Sequence, residues 1–290
     1  MKLKETKLPY VASDLDGTIV RNEDFKILES TVIDIQEYQK LSGGKFFLIT
    51  GRAYQNMKFY INQLNIELPI ICSNGSAIID PKSNEVLYEA EMNEQTVLEL
   101  LDDATKHSLD VNVYTARELI SLKTSERYKK YTELYSHYPK NLQPEFTFIN
   151  DYNELIQEVK NKKYKALKLM YSFDPINDVA QYERLVKYLE SKNLYHPQTY
   201  IQSRLIIDAM EKGTNKLSGL KMWCKIMNVN IDTIYAIGDN NNDIEMVKGC
   251  KNGISVGNGV QALKDVSKLV IDEIDNNGVG KYLKELSKVY

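Results

Sequence analysis

The chain has 290 residues, 43% of them hydrophobic and 27% charged, with a net charge of −3. That length exceeds what one hydrophobic core usually serves, so two domains are expected. The near-balanced charge argues against a dedicated nucleic-acid binder, and no run approaches the roughly 18–20 apolar residues that span a bilayer. The charged start, Met1-Lys2-Leu3-Lys4-Glu5, is followed by no apolar signal segment. Three widely spaced cysteines, Cys72, Cys224 and Cys250, form no CxxC, which points to buried free thiols and a cytoplasmic protein.

The first predicted element is the apolar run Leu8-Pro9-Tyr10-Val11-Ala12, a short buried strand leading into Ser13-Asp14-Leu15-Asp16-Gly17-Thr18. Carboxylates at i and i+2 repel unless a cation or a proton is shared between them. Gly17 permits a sharp turn there, and Thr18 adds a hydroxyl. Asp and Gly are also ordinary turn residues, so this stretch alone does not separate a site from a solvated turn. Apolar positions Val32, Ile33, Ile35 and Tyr38 predict a helix over 29–41, ended by Gly43-Gly44. A strand over 46–49 runs into Thr50-Gly51-Arg52, a helix is expected over 53–64, and a strand over 69–72 runs into Ser73-Asn74-Gly75. Uniformly apolar strands alternating with helices predict a parallel, doubly wound sheet. Ligands bind such sheets beyond the carboxyl ends of the strands, where these polar clusters fall.

The rhythm then changes. Residues 77–88 read as a hairpin around a Pro/Asn turn. Beyond it come helices over 94–107, 125–138, 153–159 and 178–191, with strands over 111–114, 119–122 and 166–171. This mixed pattern predicts an inserted α+β domain over 83–205, within a core formed by 1–82 and 206–290. Leu205-Ile206-Ile207 is read as the return to the core. Gly213-Thr214-Asn215-Lys216 opens a helix with Thr214 or Asn215 as N-cap. Its buried stripe is Leu217, Leu220, Cys224 and Met227, with Trp223 at the flank. A strand over 233–237 ends in Gly238-Asp239-Asn240-Asn241-Asn242-Asp243, and short strands over 254–256 and 269–271 follow, the first before Gly257-Asn258.

The doubly wound arrangement brings Asp14, Asp16, Thr50, Asn74, Lys216, Asp239, Asn242 and Asp243 to one sheet edge. Converging carboxylates with few nitrogen or sulfur donors suit Mg²⁺. A lysine near a helix N-terminus, a threonine hydroxyl and backbone N–H groups suit a phosphate dianion. One carboxylate can attack phosphorus while the one two residues on protonates the leaving oxygen. Proton transfer supplies about 10²–10⁴ of an acceleration that reaches ~10²¹, so electrostatics and positioning must carry most of it.

The motifs Asp14-Leu15-Asp16-Gly17-Thr18, Leu48-Ile49-Thr50-Gly51-Arg52, Lys216 ahead of a helix, and Gly238-Asp239-Asn240-Asn241-Asn242-Asp243 resemble those of the haloacid dehalogenase-like superfamily. Ser73-Asn74-Gly75 and Gly257-Asn258 match its Cof-type, subfamily IIB hydrolases. The resemblance implies a doubly wound, mostly parallel Rossmann-like core with an inserted α+β cap of type C2. It also implies a Mg²⁺-dependent phosphatase that hydrolyses a small phosphorylated metabolite, a sugar phosphate or phosphorylated cofactor, through an aspartyl-phosphate. On that resemblance Asp14 is the nucleophile. Asp16 is the acid and then the base, with its main-chain carbonyl on the metal. Thr50 and Gly51 hold the phosphoryl group, Lys216 neutralises it, and Asp239 is the main downstream metal ligand. Asn242 contacts phosphate, while Asp243 and Asn74 support the site. The cap is expected to close over the core and select substrate, with Tyr114, Tyr171 and Arg204 as candidate contacts. Rival readings are a sugar-phosphate mutase and a non-enzymatic phospho-accepting switch; Asp16 argues against the switch, because an acid/base so close speeds loss of the phosphoryl group. His107, His137 and His196 lack metal spacing and receive no role. Neither nucleic acid nor membrane is an expected partner.

Overall fold

The structure, a computed structural model, describes residues 7–136, 138–201 and 204–290, so His137 lies outside the described residues. The chain divides into two compact units. The first runs to Gly51, resumes over Tyr60–Tyr88 and ends with Asn215–Tyr290; the second holds Arg52–Phe59 and Glu89–Thr214.

The chain opens with β1 (Tyr10–Ser13), α1 (Glu29–Ser42), β2 (Phe46–Leu48), α2 (Lys58–Gln63), β3 (Ile70–Cys72), β4 (Ala77–Ile79) and β5 (Val86–Glu89). Val11, Ala12 and all of β2 are fully buried, as strands covered on both faces must be. The helix expected over 53–64 is instead a 3₁₀ turn at Tyr54–Asn56 followed by α2. The chain returns to the first unit between Phe59 and Tyr60, inside α2. Arg52 donates to the Tyr135 hydroxyl, and the Phe59 ring lies 4.0 Å from that of Tyr138, both within the second unit. The Tyr60 hydroxyl instead donates to Phe25 O at 2.8 Å within the first.

The second unit continues with α3 (Glu94–Lys106), β6 (Val111–Tyr114), β7 (Leu119–Leu122), α4 (Glu126–Tyr135) and β8 (Thr147–Ile149). Then come α5 (Tyr152–Lys160), β9 (Lys168–Phe173), α6 (Val179–Ser191), β10 (Gln198–Ile201) and β11 (Arg204–Ala209). Its six strands are ordered β10-β11-β9-β6-β7-β8, antiparallel except for β7 beside β8. One face carries Val113, Leu169, Tyr171, Leu205 and Ile207, packed with Leu100, Leu155 and Leu185 of the helices. The boundary expected at 205/206 therefore falls inside β11, which lies between β9 and β10 in this sheet. Leu205, Ile206 and Ile207 are buried on both faces, so the run reads like a core strand of the parallel sheet.

The first unit resumes with α7 (Lys216–Met227), β12 (Ile234–Gly238), α8 (Ile244–Gly249), β13 (Asn252–Ser255), α9 (Gln261–Lys264), β14 (Leu269–Val270) and α10 (Gly278–Val289). The order β14-β13-β12-β1-β2 is parallel throughout. β3 extends it through a parallel bridge between Ile49 and Ile71, and β4 turns back antiparallel on β3. The chain leaves β1 towards β2 on one side and β12 towards β13 on the other. The switch point, and with it the crevice, lies beyond the ends of β1 and β12. Trp223 anchors α7 to this sheet: its ring stacks on Phe47 at 4.0 Å and Nε1 donates to Pro69 O at 2.8 Å. It is fully buried, at the centre of the helix's apolar face rather than at its flank. α10 packs on α1, where Asn277 Nδ2 and Lys284 Nζ reach the Asp34 carboxylate at 2.8 and 2.6 Å.

Candidate active site

The Asp14 N–H donates to Ile237 O at 2.9 Å, one residue past β1, so its side chain emerges at the switch point. The turn that follows depends on Gly17, at φ 79°. A Cβ there would lie 2.2 Å from Asp239 Oδ2, so the turn and the carboxylate fit together only because residue 17 lacks a side chain. Thr18 Oγ1 donates to Asp239 Oδ1 at 3.0 Å, and Asn258 Nδ2 donates to Gly17 O at 2.7 Å. Sequence reasoning missed that latch: the Gly-Asn step was visible, but its partner lies 241 residues away.

Lys216 is the first residue of α7. Asn215 caps the helix, its Oδ1 accepting from Ser218 N at 2.9 Å while Ser218 Oγ accepts from Asn215 N at 2.9 Å. The buried ammonium lies 2.7 Å from Asp14 Oδ1 and 2.7 Å from Asp243 Oδ1. Asp243 Oδ2 accepts the N–H groups of Asp239 and Asn240, each at 3.1 Å. Asp243 thus fixes both the lysine and the loop that carries Asp239. Thr50, fully buried, donates its N–H to Ile71 O at 2.9 Å, and its carbonyl accepts from Asn74 N at 2.9 Å. Asn242 Nδ2 donates to Asn74 Oδ1 at 3.1 Å. The structure therefore joins Asp14, Lys216, Asp239 and Asp243 in one network, and links Thr50, Asn74 and Asn242 in another.

Carboxylate oxygens of Asp14, Asp239 and Asp243 lie within 4.8 Å of one another. Burial pushes Asp14 up to about 7, against the pull of Lys216 and with the help of Asp243. Burial, then the Asp14 charge, push Asp239 well above the usual carboxylate range. Burial pulls Lys216 down, but Asp14 and Asp243 outweigh it and hold the ammonium above its ordinary value. Three buried carboxylates gather beside one ammonium that pairs with two of them, and every candidate ligand atom is oxygen, which fits a hard divalent cation. Asp243 is engaged by Lys216 and by two N–H groups, one oxygen of Asp14 by the same lysine and one of Asp239 by Thr18. The Asp16 carboxylate is not part of this cluster; its expected metal contact is through the main chain.

In the second unit, the Tyr114 hydroxyl donates to Met170 Sδ at 3.1 Å, and the Lys168 ammonium sits 4.3 Å above the Tyr114 ring. Arg204 donates to Ser172 Oγ and O at 3.1 and 2.9 Å. Tyr171 points the other way, into the apolar core, fully buried and with no hydrogen bond to its hydroxyl. It is a core residue and not a substrate contact: alternation along β9 puts it opposite Lys168 and Met170.

A Rossmann-like parallel sheet with buried acids and one lysine at its switch point belongs to the class of α/β proteins suited to binding a phosphoryl group. The chain belongs to the haloacid dehalogenase-like hydrolase family, in its Cof type, and the family's model matches residues 11–283. It is 25% identical over 282 residues to 5-amino-6-(5-phospho-D-ribitylamino)uracil phosphatase YitU of Bacillus subtilis, covering 97% of this chain and 98% of that one. It is 22% identical over 276 residues to pyridoxal phosphate phosphatase YbhA of Escherichia coli, covering 94% and 96%. The solved structure of a subclass IIB sugar phosphatase, BT4131, shares the fold with a TM-score of 0.74 at 19% identity, covering 96% of this chain and 98% of that one. Fold and relatives fit a phosphoric monoester hydrolase. Among the described residues no helix is long and apolar enough to cross a membrane.

Proposed function

We propose that the protein is a Mg²⁺-dependent phosphatase that hydrolyses a small phosphorylated metabolite through an aspartyl-phosphate on Asp14. The observation that carries this reading is the Lys216 ammonium held 2.7 Å from both Asp14 and Asp243, with Asp239 in the same acidic cluster. In the first half-reaction an Asp14 oxygen bonds to phosphorus as the ester P–O bond breaks, and protonated Asp16 gives its proton to the departing oxygen. In the second, Asp16 takes a proton from water, whose oxygen attacks phosphorus, releasing inorganic phosphate and restoring Asp14. Lys216, Thr50, Gly51 and Asn242 orient the phosphoryl oxygens, and the fixed ammonium requires no reorganisation as charge shifts. Asp14, Asp239 and the Asp16 carbonyl would hold Mg²⁺, which when bound would add positive charge beside the same oxygens.

The named relatives act on a ribitylamino-uracil phosphate and on pyridoxal phosphate. These support a small phosphorylated metabolite, such as a phosphorylated cofactor, as the substrate class here. Three buried free thiols agree with a reducing cytoplasm. Turnover of p-nitrophenyl phosphate with and without Mg²⁺ is the test. Wild-type activity lost in EDTA and in Asp14→Asn is the expected result; full activity in Asp14→Asn refutes the reading. A phosphoenzyme that persists without turnover would point to the switch instead.

A further inference from the structure

We infer that Asn74 is a positioning residue, whose amide aligns the phosphoryl-holding groups by acting through Asn242; the inference rests on the phosphatase reading. Ser73 and Asn74 stand consecutively in the left-handed region, at φ 50° and 55°, followed by Gly75 at 97°. Serine has no special tolerance for that region, and such strain persists only where the surroundings impose it. The surroundings are three separate segments of the first unit. The Asn74 N–H donates to Thr50 O at 2.9 Å. Asn74 Oδ1 accepts from Asn242 Nδ2 at 3.1 Å and lies 2.9 Å from where a Cβ on Gly51 would stand. Gly75 lies against the start of α7: its Cβ would fall 2.1 Å from Asn215 O, and one on Gly219 would fall 2.6 Å from Gly75 Cα. One strained turn therefore touches the Thr50-Gly51 loop, the Asn242 loop and the helix end that carries Lys216.

An asparagine in a tight turn between β3 and β4 needs no further role, because Asn tolerates φ > 0 and bonds its own backbone. Here the amide is only 3% exposed, and its oxygen is engaged by a residue 168 positions away. A turn former serving β3 and β4 alone has no need of that partner. Asn242 has one rotatable amide, and its bond to Asn74 fixes which way it faces. Misplacement of a binding group by about 1 Å can lower a rate 10²-fold.

The test uses the full chain with Mg²⁺ and compares Asn74→Gly, Asn242→Ala and the double variant. Glycine accepts the left-handed backbone, so Asn74→Gly removes the amide without breaking the turn. The expected result is a protein that still folds, unfolding in one cooperative transition, with a kcat about 100-fold lower. The double variant should be no worse than the poorer single one, because the Asn74–Asn242 bond is lost in either. Affinity for inorganic phosphate, measured by calorimetry, should fall in the same variants. Asn74→Gly within threefold of wild-type kcat, or independent, multiplying losses in the double variant, overturns the inference. A wild type that binds phosphate, loses it in Asn74→Gly and yet hydrolyses no monoester sinks the phosphatase reading and leaves the positioning role standing. A wild type that neither binds phosphate nor turns over substrate ends both.

Discussion

Lys216→Met separates the electrostatic account of the site from a mere packing role for the lysine. The lysine is 1% exposed and bridges Asp14 and Asp243 at 2.7 Å each. Methionine retains the apolar stem and removes the ammonium, leaving Asp14, Asp239 and Asp243 buried together without a cation. Removing one partner of a buried ion pair destabilises by about 3–5 kcal/mol. At about 2–4 °C per kcal/mol, the melting temperature in EDTA should fall by about 6–20 °C. The sign of the pH dependence follows from Asp14, which is already raised to about 7 with the lysine in place. A carboxyl raised above its unfolded value favours folding while protonated, and that contribution disappears as pH rises through the folded value. Without Lys216 the carboxylates are still harder to ionise, so the deficit should be greatest at pH 8 and smaller at pH 5. Asp243→Asn added to Lys216→Met should restore part of the loss, because it removes one uncompensated charge. Thermal melts by circular dichroism, in EDTA at both pH values, measure all of this. A Lys216→Met protein within about 1 kcal/mol of wild type at pH 8, or one more impaired at pH 5, refutes the reasoning.

Other outcomes are equally specific. Millimolar MgCl₂ should raise the wild-type melting temperature, a hundredfold excess over Kd being worth about 2.7 kcal/mol, and Asp239→Asn should abolish the shift; an equal shift in both proteins would remove Asp239 from the metal site. Tyr171→Phe deletes a buried hydroxyl that has no hydrogen bond, so denaturation should show unchanged or higher stability, by up to about 1–3 kcal/mol, with kcat unaltered. A tenfold fall in kcat/KM would contradict its place in the core. Burial pushes Cys224 up to about 11 and Cys250 up to about 12. Relative to an unfolded thiol near ~8.5, their stabilising contribution is full below that pH and is lost as pH rises through 11 and 12. Alkylation at pH 8 should accordingly label these thiols only after unfolding, and rapid labelling of the native protein would show them accessible.

What the sequence made legible, and what it hid, divides along physical lines. A strand buried on both faces is written as an uninterrupted apolar run, and chemistry at its carboxyl end is written immediately after it. Asp14 after β1, Thr50 after β2, Asn74 after β3 and Asp239 after β12 were all visible for that reason. Burial does not record which core does the burying. Leu205-Ile206-Ile207 is as apolar as β2, yet it belongs to the antiparallel sheet; residues 53–64 have one helical pattern, yet two units divide it. Nor does local spacing record which side chain a polar group will meet. Thr18 meets Asp239, Asn258 meets Gly17 and Asn242 meets Asn74 only because parallel strands distant in the chain end side by side. Apolar periodicity therefore specifies the scaffold, while the pairings that give the site its direction arise only when that scaffold closes. Asn74 illustrates the difference: read locally it is a residue suited to a turn, and read in the fold it joins two loops drawn from opposite ends of the chain.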